Sequence, residues 1–254
     1  MPRPPRADAF FVGVAAVVRS ALWCMTTKRW AGVEHFPREG GFIVAGNHLS
    51  NVDPLTFAHF VYNSGHVPRF LAKAPLFKVP VVGWVLRKAG QIPVYRNSAD
   101  AGTALRAAVA ALEAGECVVV FPEGTLTRDP DLWPMVGKTG VARLALETGV
   151  PVIPVAQWGP QHLLGRYAKV LKPFPRKAMT VVAGPPVDLS AYAGRPLDAA
   201  TLREATATVL ADVTALLAGI RQETPPATPF DLREARRRGT TPVGGDRGTR
   251  EEHP

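Results

Sequence analysis

The stretch Phe42-Ile43-Val44-Ala45-Gly46-Asn47-His48-Leu49-Ser50-Asn51-Val52-Asp53-Pro54 reads in three pieces. Residues 42–45 are a short apolar run, as expected for a buried strand. The strand breaks at Gly46 into a polar loop that carries one imidazole and one carboxylate. Pro54 opens a helical pattern over 54–62, with Leu55, Phe57, Ala58 and Val61 apolar. Asp53 before it fits a helix N-cap with proline at the first helical position. On one continuous helix His48 and Asp53 would point about 140° apart. A loop leading into a helix lets the carboxylate reach one ring nitrogen instead, which leaves the other as a base for a hydroxyl proton. Taken alone, the same residues serve equally as a polar loop before a capped helix.

Outward from this stretch, strands and helices alternate. Strands are expected over 70–72, 91–95, 117–121, 150–156 and 179–183. Residues 117–121 form a β-branched run of the kind buried on both faces. Ser98 caps a helix with Leu105, Ala108, Val109 and Leu112 on one face, ended by Gly115. A second helix runs over 139–148 to Gly149. A third covers 199–220, with Leu202, Val209, Val213 and Leu216 or Leu217 inward. Residues 73–88 mix apolar and basic side chains and fit helical and irregular structure equally, as core, as the wall of an apolar tunnel or as a lipid contact. The alternation specifies a three-layer α/β domain over 33–221 with a largely parallel or mixed sheet. Ligands bind at strand ends in such sheets, and both His48 and Glu123 follow strands.

Before this domain, Phe11, Val14, Val18, Leu22 and Met25 recur at helical spacing. Arg19 and Ser20 interrupt the run, which falls short of the roughly 20 apolar residues that span a bilayer. Residues 1–32 therefore read as a basic terminus and an amphipathic membrane-interface helix, with Lys28, Arg29 and Trp30 at headgroup level. The alternative is a soluble helix packed on the body. Residues 222–254 are poor in apolar side chains and read as a disordered polar tail.

The chain has 254 residues, 46% of them hydrophobic, and a net charge of +9. The segment after Arg221 is neutral, so the excess lies in residues 1–221. No acidic residue occurs between Asp53 and Asp100, or between Glu147 and Asp188, although both windows are rich in lysine and arginine. Such windows are surfaces for anions: a phosphorylated cofactor, anionic lipid or nucleic acid. No helix-turn-helix pattern or aromatic RNA-binding box supports nucleic acid. Cys24 and Cys117 stand apart, and no H-E-x-x-H pattern occurs, so no metal is expected. A G-x-S-x-G elbow is also absent, which leaves a hydrolase reading without its nucleophile.

Four segments, in order, resemble the boxes of the glycerolipid acyltransferases, the 1-acylglycerol-3-phosphate acyltransferase family. Asn47-His48 with Asp53 matches the N-H-x4-D box. Gly90-Gln91-Ile92-Pro93-Val94-Tyr95-Arg96 resembles the next, which ends in a basic residue. Phe121-Pro122-Glu123-Gly124-Thr125 looks like the F-P-E-G-T box, and Val152-Ile153-Pro154-Val155 resembles the apolar-proline box. The resemblance implies transfer of a fatty acyl group from acyl-CoA or acyl-carrier protein to a lysophospholipid, the sn-2 hydroxyl of 1-acylglycerol 3-phosphate, giving phosphatidic acid. It implies no further cofactor, an anionic membrane surface as partner, and a peripheral or monotopic position on the cytoplasmic face of the cell membrane.

The site residues follow from the same boxes. His48 is the base and Asp53 its orienting partner. Asn47, Arg96, Glu123, Gly124, Thr125 and Arg128 belong to substrate binding. Arg96 is the planar fork for the acceptor phosphate. Gly124 permits close backbone approach, Thr125 offers a hydroxyl, and Glu123 holds a cation such as Arg96 or a substrate hydroxyl. Where the family often has an arginine after the threonine, this chain has Leu126, and Arg128 is the nearest replacement. Lys138 is a further anion candidate.

Overall fold

Every residue of the strand Phe42–Gly46 is buried, because it has strand neighbours on both edges and helices over both faces. The computed structural model describes residues 7–95 and 101–240. Among these, the elements in chain order are α1 (Ala9–Met25), β1 (Thr26–Ala31), β2 (Phe42–Gly46), α2 (Asp53–Asn63), β3 (Pro68–Lys73), α3 (Val82–Lys88), β4 (Ile92–Val94), α4 (Ala101–Glu113), β5 (Cys117–Val120), α5 (Gly140–Thr148), β6 (Val152–Trp158), α6 (Pro160–Leu163), β7 (Lys177–Ala183), α7 (Ala199–Arg221) and α8 (Leu232–Arg237). The sheet order is β1-β7-β6-β2-β5-β3-β4. Five strands run parallel; β7 pairs antiparallel with β6, and β1 follows β7. The expected three-layer α/β architecture with a largely parallel, mixed sheet is the architecture found.

Side-chain alternation assigns the layers. Phe42 and Val44 of β2, with Cys117 and Val119 of β5, pack under Phe57, Phe60 and Val61 of α2. Ile43, Ala45, Val118 and Val120 point the other way, toward Ala108 and Leu112 of α4, Leu144 of α5 and Val209 of α7. Gly46 ends β2 where a Cβ would stand 2.3 Å from the Phe57 ring, so α2 can lie directly over the strand end. β2 and β5 are parallel neighbours, with Phe42 opposite Cys117 and Ala45 opposite Val120. Their C-terminal ends therefore lie side by side, and so do the two loops that leave them.

Several expectations are corrected. Residues 26–31 form an edge strand in register with Lys177–Val182, so the body of the fold begins before residue 33. Trp30 turns inward against Phe60 rather than lying at headgroup level. Its strand is mostly exposed, which is why no apolar alternation announced it. The first part of the tail is folded: Asp231 caps α8, and Val136 N–H donates to the Phe230 carbonyl at 3.0 Å. Residues 74–78 are a 3-10 turn and 82–88 a helix, which resolves the segment left open by sequence. Ser98, the expected cap of α4, lies outside the described residues.

Candidate active site

The loop after β2 turns back on itself around one carboxylate oxygen. Asp53 is the first residue of α2 rather than its N-cap; Val52 holds the cap position and makes no side-chain bond there. The carboxylate is thereby freed for the loop. Its Oδ2 accepts from Leu49 N–H, from Ser50 N–H at 2.8 Å, and lies 2.8 Å from His48 Nδ1. Asp53 is wholly buried, which raises its carboxyl above the ordinary value against the pull of the His48, Ser50 and Leu49 hydrogen bonds. Its place in the first turn of α2 favours negative charge. With Nδ1 facing a carboxylate, the imidazole presents Nε2 as its proton acceptor.

The His48 ring is also clamped from the side. It stacks on Phe121 at 4.3 Å and 14°, and Phe121 is met edge-on by Phe57 at 5.3 Å. The main chain is held as well. His48 N–H donates to Glu123 Oε1 at 3.0 Å, and the His48 carbonyl accepts from Thr127 N–H at 2.8 Å. The ring has 16% exposure and faces a cleft of about 530 Å3 that extends between α1, α2, β3 and α3. Most of the wall is apolar, with Phe11, Val14, Leu55, Ala58, Leu71 and Leu86 among its residues, and His48, Gly124 and Lys138 also line it.

The other expected site residues divide. Gly124 (φ +66°) lines the cleft, and the Lys138 side chain crosses over it, 3.0 Å from where a Cβ would stand. Asn47, Glu123, Thr125 and Arg128 do not line it among the described residues. Asn47 is fully buried: its amide donates to the Gln157 carbonyl at 3.0 Å and accepts from Gln157 N–H at 2.9 Å. It clips the loop to β6. The Arg128 guanidinium lies over the Tyr167 ring at 5.0 Å, while Leu126 and Lys138 line the cleft. Arg96 lies outside the described residues.

Among the described residues, Glu123 is engaged by backbone N–H groups. Its two oxygens accept from His48 N–H and from Met135 N–H at 3.1 Å, so it joins the two loops. Burial pushes its carboxyl up to about 8, against those two donors. Gln157, which the sequence reading missed, closes the support: Thr56 Oγ1 lies 2.6 Å from its side-chain oxygen. The signal available was one amide, buried without exposure, in the otherwise apolar run of β6, one residue past the expected strand end.

The high Glu123 value has a consequence for stability. Between its ordinary 4.5 and about 8 the folded protein holds a proton that the unfolded chain has released. This contribution is complete below 4.5 and is lost as pH rises through about 8. Melting temperature should therefore fall across this interval. In Glu123→Gln the slope should flatten, on a lower baseline because an amide nitrogen cannot accept a backbone N–H. Thermal melts of both proteins across the interval check this; parallel curves would remove Glu123 as the source.

Residues 29–158 match the family model described as acyltransferase. The 1-acyl-sn-glycerol-3-phosphate acyltransferase of Borreliella burgdorferi is 33% identical over 147 residues, 57% of this chain and 57% of that protein. The enzyme of the same name from Bacillus subtilis is 29% identical over 166 residues, 64% of this chain and 75% of that protein. The crystal structure of the 1-acyl-sn-glycerophosphate acyltransferase PlsC from Thermotoga maritima superposes with a TM-score of 0.62 at 27% identity, over 84% of this chain and 82% of that one. The chain spans between 35% and 57% of the length of the first curated relatives it matches. The matched segment contains His48, Asp53, Glu123 and Gln157.

Proposed function

The chain belongs to the acyltransferase family, and on that premise we propose that it moves a fatty acyl group from acyl-CoA or acyl-carrier protein to the sn-2 hydroxyl of 1-acylglycerol 3-phosphate, giving phosphatidic acid. The observation that carries this reading is the His48–Asp53 pair with His48 on the wall of a largely apolar cleft. An alcohol is a poor nucleophile at neutral pH, so a base must take its proton as it attacks. His48 Nε2 takes it. Asp53 holds Nδ1–H and balances the imidazolium that forms. The oxygen attacks the thioester carbonyl, the tetrahedral intermediate expels the thiolate, and the imidazolium returns the proton to sulfur. The acyl chain lies in the cleft. Lys138, and Arg96 from the preceding box, supply positive charge for the acceptor phosphate. Glycerol 3-phosphate and other lysophospholipids are the alternative acceptors, since the same base serves any primary or secondary hydroxyl.

The same reading places the protein at a membrane. α1 carries one charged residue, Arg19, and its guanidinium turns to the Tyr62 ring at 5.8 Å. The outer face, with Gly13, Ala16, Val17, Ser20, Ala21 and Cys24 exposed, is uncharged. A surface helix in water ordinarily carries charge there. We assign α1 to the interface, on the cytoplasmic side where the proposed donors are found; no described helix is long and apolar enough to cross a membrane.

Purified protein with oleoyl-CoA and 1-acylglycerol 3-phosphate is expected to release free thiol and phosphatidic acid in equal amounts. Absence of product with both donors and all three acceptor types would overturn the reading. A substitution in the cleft tests where the chain lies. Ala58→Phe narrows the wall of α2 and excludes the last few methylenes of a long chain. At about 0.8 kcal/mol for each, kcat/KM for oleoyl-CoA should fall tenfold or more, while a short-chain donor is spared. An equal loss for both donors would place the chain elsewhere.

A further inference from the structure

We infer that α1 does not meet the lipid alone: the loop of residues 164–176 and the turn of residues 79–84 form, with it, a single face that binds an anionic bilayer. The inference rests on the membrane part of the function proposed above.

The loop is fixed at its base and bare at its tip. The Ser50 hydroxyl donates to the Leu164 carbonyl at 2.6 Å, and Lys172 N–H donates to the Leu163 carbonyl at 2.8 Å. Arg176 donates to the carbonyls of Trp23 and Thr26, each at 2.6 Å, and its guanidinium covers the Trp23 ring at 5.7 Å. These bonds fasten the loop to the C-terminal end of α1. Beyond them Val170 is 72% and Phe174 74% exposed, beside Trp23 at 64%. Water is a poor neighbour for three such groups on an otherwise well-anchored segment.

The other end of α1 repeats the arrangement. Phe10 meets Trp84 edge-on at 5.0 Å, and Trp84 stands beside Val81, which is 73% exposed. Val81 has φ +63°, where a glycine would sit without strain, yet it keeps a β-branched side chain pointing into solvent. A helix of this length is about 25 Å long, so two apolar tips flank the uncharged outer face of α1. The tips come from the two segments without acidic residues. Lys78, Arg87 and Lys88 are close to one in the sequence; Lys169, Lys172 and Arg176 are close to the other.

Exposed apolar points within segments that carry only basic charge match an anionic bilayer. The side chains enter the acyl region while ammonium and guanidinium groups stay at headgroup level. A bilayer covers both tips and the helix between them at once. An acidic protein would satisfy the cations and leave the apolar tips to find separate pockets. α1 also lines the cleft that His48 faces, through Phe11, Val14, Ala15 and Val18.

The test is co-sedimentation of the full chain with phosphatidylglycerol and with phosphatidylcholine vesicles, for the wild type, Val170→Asp/Phe174→Asp, and Val81→Asp. The wild type should prefer phosphatidylglycerol, and each variant should partition about tenfold less, the loss expected when one large apolar side chain is withdrawn from lipid. Melting temperatures should be unchanged, since all three positions are exposed, and so should turnover of a short-chain, water-soluble acceptor. If the wild type binds and both variants bind equally well, this inference fails while the membrane reading stands. If the wild type binds neither vesicle, both fail. If the variants bind vesicles normally but lose turnover only with a carrier-protein donor, the face belongs to an acidic protein and the inference is overturned.

Discussion

His48→Ala is expected to lose acyl transfer by a factor of about 100 to 10,000, the usual contribution of a positioned general base, and to keep its fold. The loop conformation does not depend on the imidazole. The His48 N–H still donates to Glu123, its carbonyl still accepts from Thr127, and Asp53 still accepts from Leu49 and Ser50. What is lost is a partly exposed ring, its stacking on Phe121 and one of the three bonds to Asp53 Oδ2, so the melting temperature should drop by only a few degrees. Initial rates of thiol release measured beside a thermal melt separate the two effects. Wild-type turnover in a folded His48→Ala protein would remove the mechanism.

At Asp53 the outcome depends on which atom replaces the carboxylate. All three donors converge on Oδ2, while Oδ1 is buried without a hydrogen-bond partner. Asparagine can place its carbonyl at the Oδ2 position, so Asp53→Asn keeps the loop and the tautomer and loses the charge. Hydrogen bonds to charged groups are worth about 1.5–3 kcal/mol, so the expected loss in kcat/KM is about ten- to hundredfold. Asp53→Ala removes the acceptor for two backbone N–H groups as well. It should match His48→Ala in activity and be the less stable of the two by about 1–3 kcal/mol. A steady-state comparison of the three variants decides this. Equal and complete loss in Asp53→Asn and Asp53→Ala would mean that charge, rather than position, is what Asp53 supplies.

The sequence was most informative where chemistry and periodicity coincide. β2 and β5 are wholly apolar and end in polar loops, so the His48 and Glu123 segments could be expected to meet, and they do. The carboxylate at Asp53 was legible as a partner for His48, although not as the hub of a turn, because a residue before proline at a helix start resembles a cap. The roles of Asn47 and Glu123 were not legible. Both spend their polar atoms on backbone groups that are distant in sequence, which no local pattern encodes. β1 escaped notice for a different reason: an exposed edge strand buries too little to impose alternation. Arg128 was chosen by proximity to Thr125, and the turn through Thr127 carries it to the Tyr167 side.

The two cysteines give the protein a built-in optical handle. Cys117 is sealed in β5, where burial, aided by Glu116, pushes its thiol well above the ordinary range and makes it inert to alkylation. Cys24 is exposed on the outer face of α1. A polarity-sensitive fluorophore on the native chain therefore attaches at one known point, and the colour of its emission tells whether that helix face lies in water or in hydrocarbon.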